Sequence, residues 1–329
     1  MNVLSGNKIK NVMSKYTTYV IFVVLFVLLG FLTGFDSWKL PSLQNLVIAE
    51  SIRAFAALGV GVIIITRGID LSIGYAVCLT ASMAASLSQS VTYEAAMYPG
   101  VDFPLFLPVL VAVLVGMLVG AVNGSLVAYA KLPPFIATLG MMSLCRGAQL
   151  IYTNATVVGS VKNEYKAIAQ GYIGPFPLLM IYVAIAALLV WVILRHTRLG
   201  ANLYAIGGNP QAARVAGIDV EKGLLFAYTF AGAMYGVAGA LQTSRLGLAN
   251  SLTAVGMEMD AIAAVTIGGV SQSGGVGTMG GMICGVLTMG IITYGMNFLN
   301  INPYFQYIVK GSIIIVAVFF DMRKHSRKS

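Results

Sequence analysis

The sequence predicts an all-α polytopic membrane protein, on three observations. Of 329 residues, 58% are hydrophobic and only 9% charged, where a soluble globular chain carries about 25% charged residues. Apolar runs of about 20 residues, long enough to cross a bilayer as helix, recur along the whole length. Stretches such as Val20–Leu29 and Ile181–Leu194 are apolar on every side, unlike the alternating strands of a membrane β-barrel. The 37 Gly, 16 Met and 15 Phe within these runs suit helices packed closely in lipid.

Apolar runs place ten spans near 16–35, 46–66, 70–90, 104–130, 133–153, 177–195, 223–246, 257–270, 275–298 and 303–321. The first follows Lys8, Lys10 and Lys15 in the manner of a secretory signal. Its run is too long for a signal core, and no small-residue cleavage site follows before Trp38, so it is expected to be retained. The second and third spans are divided by Ile65-Thr-Arg-Gly-Ile-Asp-Leu-Ser-Ile-Gly74, a charged, Gly-punctuated stretch with almost no loop. The fourth carries Gly116, Gly120 and Gly124 on one helix face. Arg146 lies inside the fifth.

The eighth span, from Ala261, is too short to cross about 30 Å of hydrocarbon at 1.5 Å per residue. It runs into the Gly-rich stretch Thr266–Gly281, so each half of the chain holds an interrupted segment. Such pairs are either broken helices lining a cavity or tight cytoplasmic turns. Gly277, Gly281 and Gly285 form a second ladder on the ninth span. Spacing leaves open whether the ladders join helices within the chain or between copies, with the first as the working reading. Lys310 lies inside the tenth span.

The long loop at about 196–222 holds Gly207-Gly-Asn-Pro-Gln-Ala-Ala-Arg-Val-Ala-Gly-Ile-Asp-Val220. Asn209 reads as an N-cap, Pro210 as a first-turn residue and Gly217 as the stop of a short helix. A small-residue helix with one Arg fits either a partner's groove or a plain surface. Neither this loop nor Asn154–Gly174 is long enough to bury a core, so residues 1–329 read as one transmembrane domain.

With a cytoplasmic N-terminus, thirteen basic residues face inside: Lys8, Lys10, Lys15, Arg67, Lys131, Arg195, Arg198, Arg214, Lys222, Arg323, Lys324, Arg327 and Lys328. Five face outside: Lys39, Arg53, Lys162, Lys166 and Arg245. The positive-inside rule therefore puts both termini in the cytoplasm. The net charge of +9 follows from topology and implies no nucleic acid.

Gly275-Val-Gly-Thr-Met-Gly280 matches a dinucleotide fingerprint but lacks both the βαβ context and the downstream acid, so its glycines are assigned to helix contact. There is no phosphate-binding GxxxxGK[ST] loop and no HExxH. The two histidines, His196 and His325, flank the membrane, and Cys78, Cys145 and Cys284 read as packing residues. No catalytic set, metal site or cofactor is expected. Arg146 and Lys310 are candidates for the translocation pathway or for snorkelling to the interface. The acids Asp70, Glu258, Asp260 and Asp321 lie near span ends, which gives no clear site for a coupling ion and favours energy from a partner. Asp70, in the first interruption, is the acid of most interest.

Thr66–Gly74, Leu132-Pro-Pro-Phe-Ile-Ala-Thr-Leu-Gly140, Ala205–Ile218 and Asp260–Ser271 together resemble bacterial ABC-importer permeases of the ribose, galactose, xylose and autoinducer-2 type, a branch that includes branched-chain amino acid permeases. Asn302–Ile315 looks most like the galactose and methyl-galactoside members. The resemblance implies a type II importer fold in a bacterial inner membrane and a homodimeric pathway. It also implies a cytoplasmic ABC ATPase with two nucleotide-binding domains and an extracytoplasmic sugar-binding protein. It carries the coupling role to Asn209, Pro210, Ala213, Arg214 and Gly217. Asp70, Thr138 and Arg146 lie in or near matching stretches and, with Lys310, are the expected pathway residues. A stand-alone carrier or channel, or a membrane-embedded enzyme, is the contrasting reading.

Overall fold

A computed structural model gives the structure of residues 3–326, with side chains described for 18–319 and for Arg323. The side chains of Lys8, Lys10, Lys15, Asp321, Lys324 and His325, and residues Arg327 and Lys328, lie outside what is described. The described residues form α1 (Val3–Leu32), α2 (Leu40–Ile65), α3 (Ile73–Leu87), α4 (Phe106–Ala128), α5 (Pro134–Thr153), α6 (Asn163–Gln170) and α7 (Leu178–His196). There follow α8 (Arg198–Gly208), α9 (Pro210–Val215), α10 (Val220–Leu246), α11 (Met257–Ile267), α12 (Met279–Phe298) and α13 (Pro303–Ser326). Each of the ten expected spans falls on a helix; α6, α8 and α9 belong to the loops. Of the described helices, α2, α4, α7, α10 and α12 are long and apolar enough to cross a membrane.

Burial sorts these helices into centre and rim. In α2, 83% of the most apolar stretch is buried, against 22% in α7. A helix apolar all round needs protein on every side to be buried like this, and α2 packs on α7, α10, α11 and α12. Because Pro41 sits in its first turn, α2 starts at Leu40 rather than near 46. That places Glu50 and Arg53 well inside the helix.

Both glycine ladders pack helices of the same chain. A Cβ on Gly116 would strike the Gly232 carbonyl, and one on Gly120 the Tyr228 carbonyl, so α4 and α10 touch backbone to backbone. Gly281 meets Gly268 and Gly285 meets the Ala264 carbonyl, which sets α12 on α11. Close approach of this kind is the use small residues serve in lipid.

The two interruptions are real breaks, and they meet. Residues 66–72 separate α2 from α3, and 268–278 separate α11 from α12. The 15 residues of α3 and 11 of α11 reach about 22 and 16 Å, short of a bilayer core of about 30 Å. The Gly275 N–H donates to the Ile65 carbonyl at 2.8 Å. Gly274 and Gly275 have φ of 76° and 71°, a turn that favours glycine. At the opposite end α6 lies on α10, with the Tyr165 hydroxyl donating to the Ala240 carbonyl at 3.1 Å and the Ala169 N–H to Ser244 Oγ at 2.9 Å. Sequence pattern alone left α6 as loop, because a helix of only eight residues gains its stability from such packing.

Candidate functional site

One end of the molecule gathers most of the expected functional residues. The Thr197 hydroxyl caps α8 by accepting from the Gly200 N–H at 3.1 Å. Asn209 Oδ1 caps α9, accepting from the N–H groups of Gln211 and Ala212, both at 3.0 Å. Pro210 occupies the first turn, where no N–H is needed. Gly217, at φ 82°, follows the helix in the left-handed region and turns the chain toward α10. Ala213 is buried with Ile206 and Val220, so this face anchors the short helix to its neighbours.

The other face of α9 points away from the protein. Val215 is 92% exposed. Arg214 Nη2 and Lys131 Nζ donate to the same Glu221 Oε1, at 2.5 and 2.6 Å, which ties α9 to the start of α10 and the α4–α5 turn. Asp219 caps α10 by accepting from the Lys222 N–H at 2.9 Å, and that bond holds its carboxyl below the usual carboxylate range. Arg67 Nη2 donates to the Gly208 carbonyl at 2.7 Å, and the Tyr204 hydroxyl to the Gly277 carbonyl at 2.7 Å. Helix α8, which leads into α9, therefore rests on both chain breaks.

Asp70 is fully buried within the first break. Its Oδ1 accepts from the Ser72 N–H at 2.8 Å and the Ser72 hydroxyl at 2.6 Å, and Asn123 Nδ2 on α4 donates to Ser72 Oγ at 3.1 Å. Thr138 Oγ1 on α5 accepts from the Leu71 N–H at 3.1 Å and donates to the Pro134 carbonyl at 2.9 Å. The Tyr228 hydroxyl on α10 donates to the Ile69 carbonyl at 3.1 Å. These bonds pair the irregular backbone that lipid could not satisfy. Asp70 and Thr138 thus share one polar node clamping α3, α4, α5 and α10, and both are fully buried.

Arg146 and Lys310 lie elsewhere and apart. Arg146 is exposed on α5 and sits over the Tyr75 ring, 5.5 Å from its centre. Lys310 Nζ reaches Asp260 Oδ2 at 3.0 Å; Arg53 Nε reaches the same oxygen at 3.3 Å, and Arg53 Nη1 reaches Glu50 Oε1 at 2.5 Å. Sequence reasoning missed this four-charge chain across α2, α11 and α13. The available signal was Glu50 and Arg53, three residues apart on an apolar span, where unpaired charge is costly. Among the described residues no cluster of metal-ligating side chains occurs.

The sequence as a whole is similar to known proteins. Residues 42–318 match the model of the branched-chain amino acid transport system / permease component family. The chain belongs to this permease family. Its relatives include the galactose/methyl galactoside import permease protein of Haemophilus influenzae, 39% identical over 338 residues, which cover 100% of both chains. The corresponding Escherichia coli protein is 41% identical over 318 residues, 94% of this chain and 95% of the relative. The ribose import permease protein of Bacillus subtilis is 39% identical over 285 residues, 86% of this chain and 85% of that one. No solved structure matches. The permease is accordingly a multi-pass membrane transport component, in accord with its apolar helices and with the resemblance read from its motifs.

Proposed function

We propose that the chain is the membrane-spanning permease subunit of an ABC importer for a monosaccharide, with galactose or a methyl galactoside as the favoured cargo. The observation that carries this is end-to-end similarity to galactose/methyl galactoside import permeases at 39% and 41% identity. Ribose is the second reading, favoured by the shorter match to a ribose import permease. Residues 1–329 act as one transmembrane domain in the bacterial inner membrane. Both termini and the 196–222 loop face the cytoplasm, in keeping with the distribution of basic residues.

The α9 helix is the contact for a cytoplasmic ATPase with two nucleotide-binding domains. Its caps fix its direction, Ala213 anchors it, and Val215 offers an apolar knob to a partner's groove. Asn209, Pro210 and Gly217 set its start and stop, and Arg214 pins it to Glu221. ATP-driven closure of the motor would move α9, and with it the two breaks, biasing the helices between inward-open and outward-open states. Asp70 and Thr138 hold the break that has to move.

A second copy completes the pathway. The outward side of α5 presents exposed Ile136, Leu144 and Ile151 beside Gly140 and Gly147, whose Cβ positions meet no neighbour, and it also carries Arg146. A cation on such a face is stable where a facing copy and water cover it, not against bare lipid. An extracytoplasmic sugar-binding protein delivers cargo to the opposite end.

The deciding experiment reconstitutes the chain in liposomes with the ATPase and a galactose-loaded binding protein. ATP hydrolysis should rise on adding the loaded binding protein, and labelled galactose should accumulate. Uphill accumulation by the chain alone under a proton or sodium gradient would overturn the reading in favour of a stand-alone carrier.

A further inference from the structure

A polar cavity of about 170 Å³ lies between α2, α10 and α11, far from α9. Along α2, Arg53 is twelve residues from Ile65, or about 18 Å; along α10, Arg245 is twenty-five residues from Val220, or roughly 37 Å. The cavity is thus at the end opposite the α9 helix. Its walls include Arg53, Gln242, Arg245, Thr253, Met257 and Asp260. A volume of about five or six waters is small for a drug-like ligand and suited to a compact polar molecule.

The wall is built for hydrogen bonding. Gln242 is 9% exposed, and its Oε1 is buried with no partner, while its Nε2 makes only a 3.4 Å contact to the Thr253 carbonyl. Arg53 is held in place by Glu50 and Asp260, and Asp260 by Lys310, so both side chains are pre-positioned by the four-charge chain. Arg245 makes no ion pair with any described residue, which leaves its guanidinium donors for a ligand. The site thus offers an unpaired acceptor, fixed donors and a carboxylate already shared by two cations. A hydroxyl both donates and accepts, and several on one small ring satisfy all of these without bringing a new charge. A carboxylate cannot donate to Gln242.

We infer that this cavity is an outer-side binding subsite for a neutral, hydroxyl-rich molecule of monosaccharide size, held by Gln242, Arg245, Arg53 and Asp260. The choice of sugar rests on the importer reading, while the site itself rests on the cavity and its unpaired groups. A subsite here receives cargo before the breaks beside α9 open to the other side. Weak, few-bonded capture suits a station that must release its ligand.

Val255 lines the cavity and is 47% exposed, whereas the native cysteines are buried. Val255→Cys therefore reports occupancy through its labelling rate with a membrane-impermeant thiol reagent, applied to the full reconstituted complex. Methyl β-galactoside should slow labelling severalfold. Gln242→Leu should raise the protecting concentration about tenfold, as expected for loss of one hydrogen bond; Arg245→Gln, measured in parallel, should shift it the same way if Gln242→Leu fails to fold. Protection by ribose alone keeps the subsite and replaces the sugar. Transport of galactose with no sugar slowing the labelling overturns the subsite and leaves the importer reading intact. Protection without any transport supports the subsite and sinks the importer reading. Protection by leucine and by no sugar overturns the hydroxyl assignment.

Discussion

Asp70 and Val215 mark opposite uses of a single side chain. Asp70 is fully buried and accepts twice from Ser72. Asp70→Leu leaves those donors unpaired and should destabilise the protein by about 1–3 kcal/mol. Asp70→Asn keeps an acceptor oxygen and should do less, as thermal unfolding in nanodiscs will show. Val215 is 92% exposed, so Val215→Asp should leave stability within about 0.5 kcal/mol. Burying a Val gives about 1.5–3 kcal/mol, so the same change should weaken binding of the ATPase by about ten- to hundredfold, measurable by titrating the motor onto the purified chain. Asn209 and Pro210 were legible as a helix start because capping depends on adjacent backbone alone. The Lys310–Asp260 pair was not, since its members are fifty residues apart and meet only through the packing of α11 and α13.

At the scale of helices, the α4–α10 contact has no room for a side chain. Gly120→Ala drives a methyl into the Tyr228 carbonyl and should cost about 1–3 kcal/mol, read as a lower melting temperature. Gly140→Ala, where a Cβ meets no neighbour within the chain, should leave the stability of the single chain unchanged to within about 0.5 kcal/mol. The pair separates glycines that pack helices from one that does not. Periodicity placed Gly116, Gly120 and Gly124 on one face, but a ladder has no label for its partner. Only the fold identified α10, with Gly232 and Gly236 opposite. The interrupted segments show the same division. Charge and glycine at Thr66–Gly74 and Thr266–Gly281 revealed that helices end there, while the bond from Gly275 to Ile65 revealed that the two ends touch.

Across the whole molecule, the α9 helix and the polar cavity occupy opposite ends of α2 and α10. In intact cells or oriented vesicles, Gln211→Cys on α9 should label only from the cytoplasmic side and Val255→Cys only from outside. Labelling of both from one side would reject this topology. The ends are linked by two long helices, and the Asp70–Thr138 node holds the first break near the α9 end.

Composition, apolar run length and motif by themselves determined that this chain is helical, crosses the membrane many times and resembles sugar importer permeases. Those properties depend on transfer from water to lipid and on short-range backbone chemistry, both written locally in the chain. The positions of Glu50, Arg53, Asp260 and Lys310 relative to one another, the partners of the glycine ladders and the meeting of the two breaks were decided by tertiary structure. Each depends on which helices pack side by side, and in a chain apolar nearly all round, the pattern of a single helix does not name its neighbour.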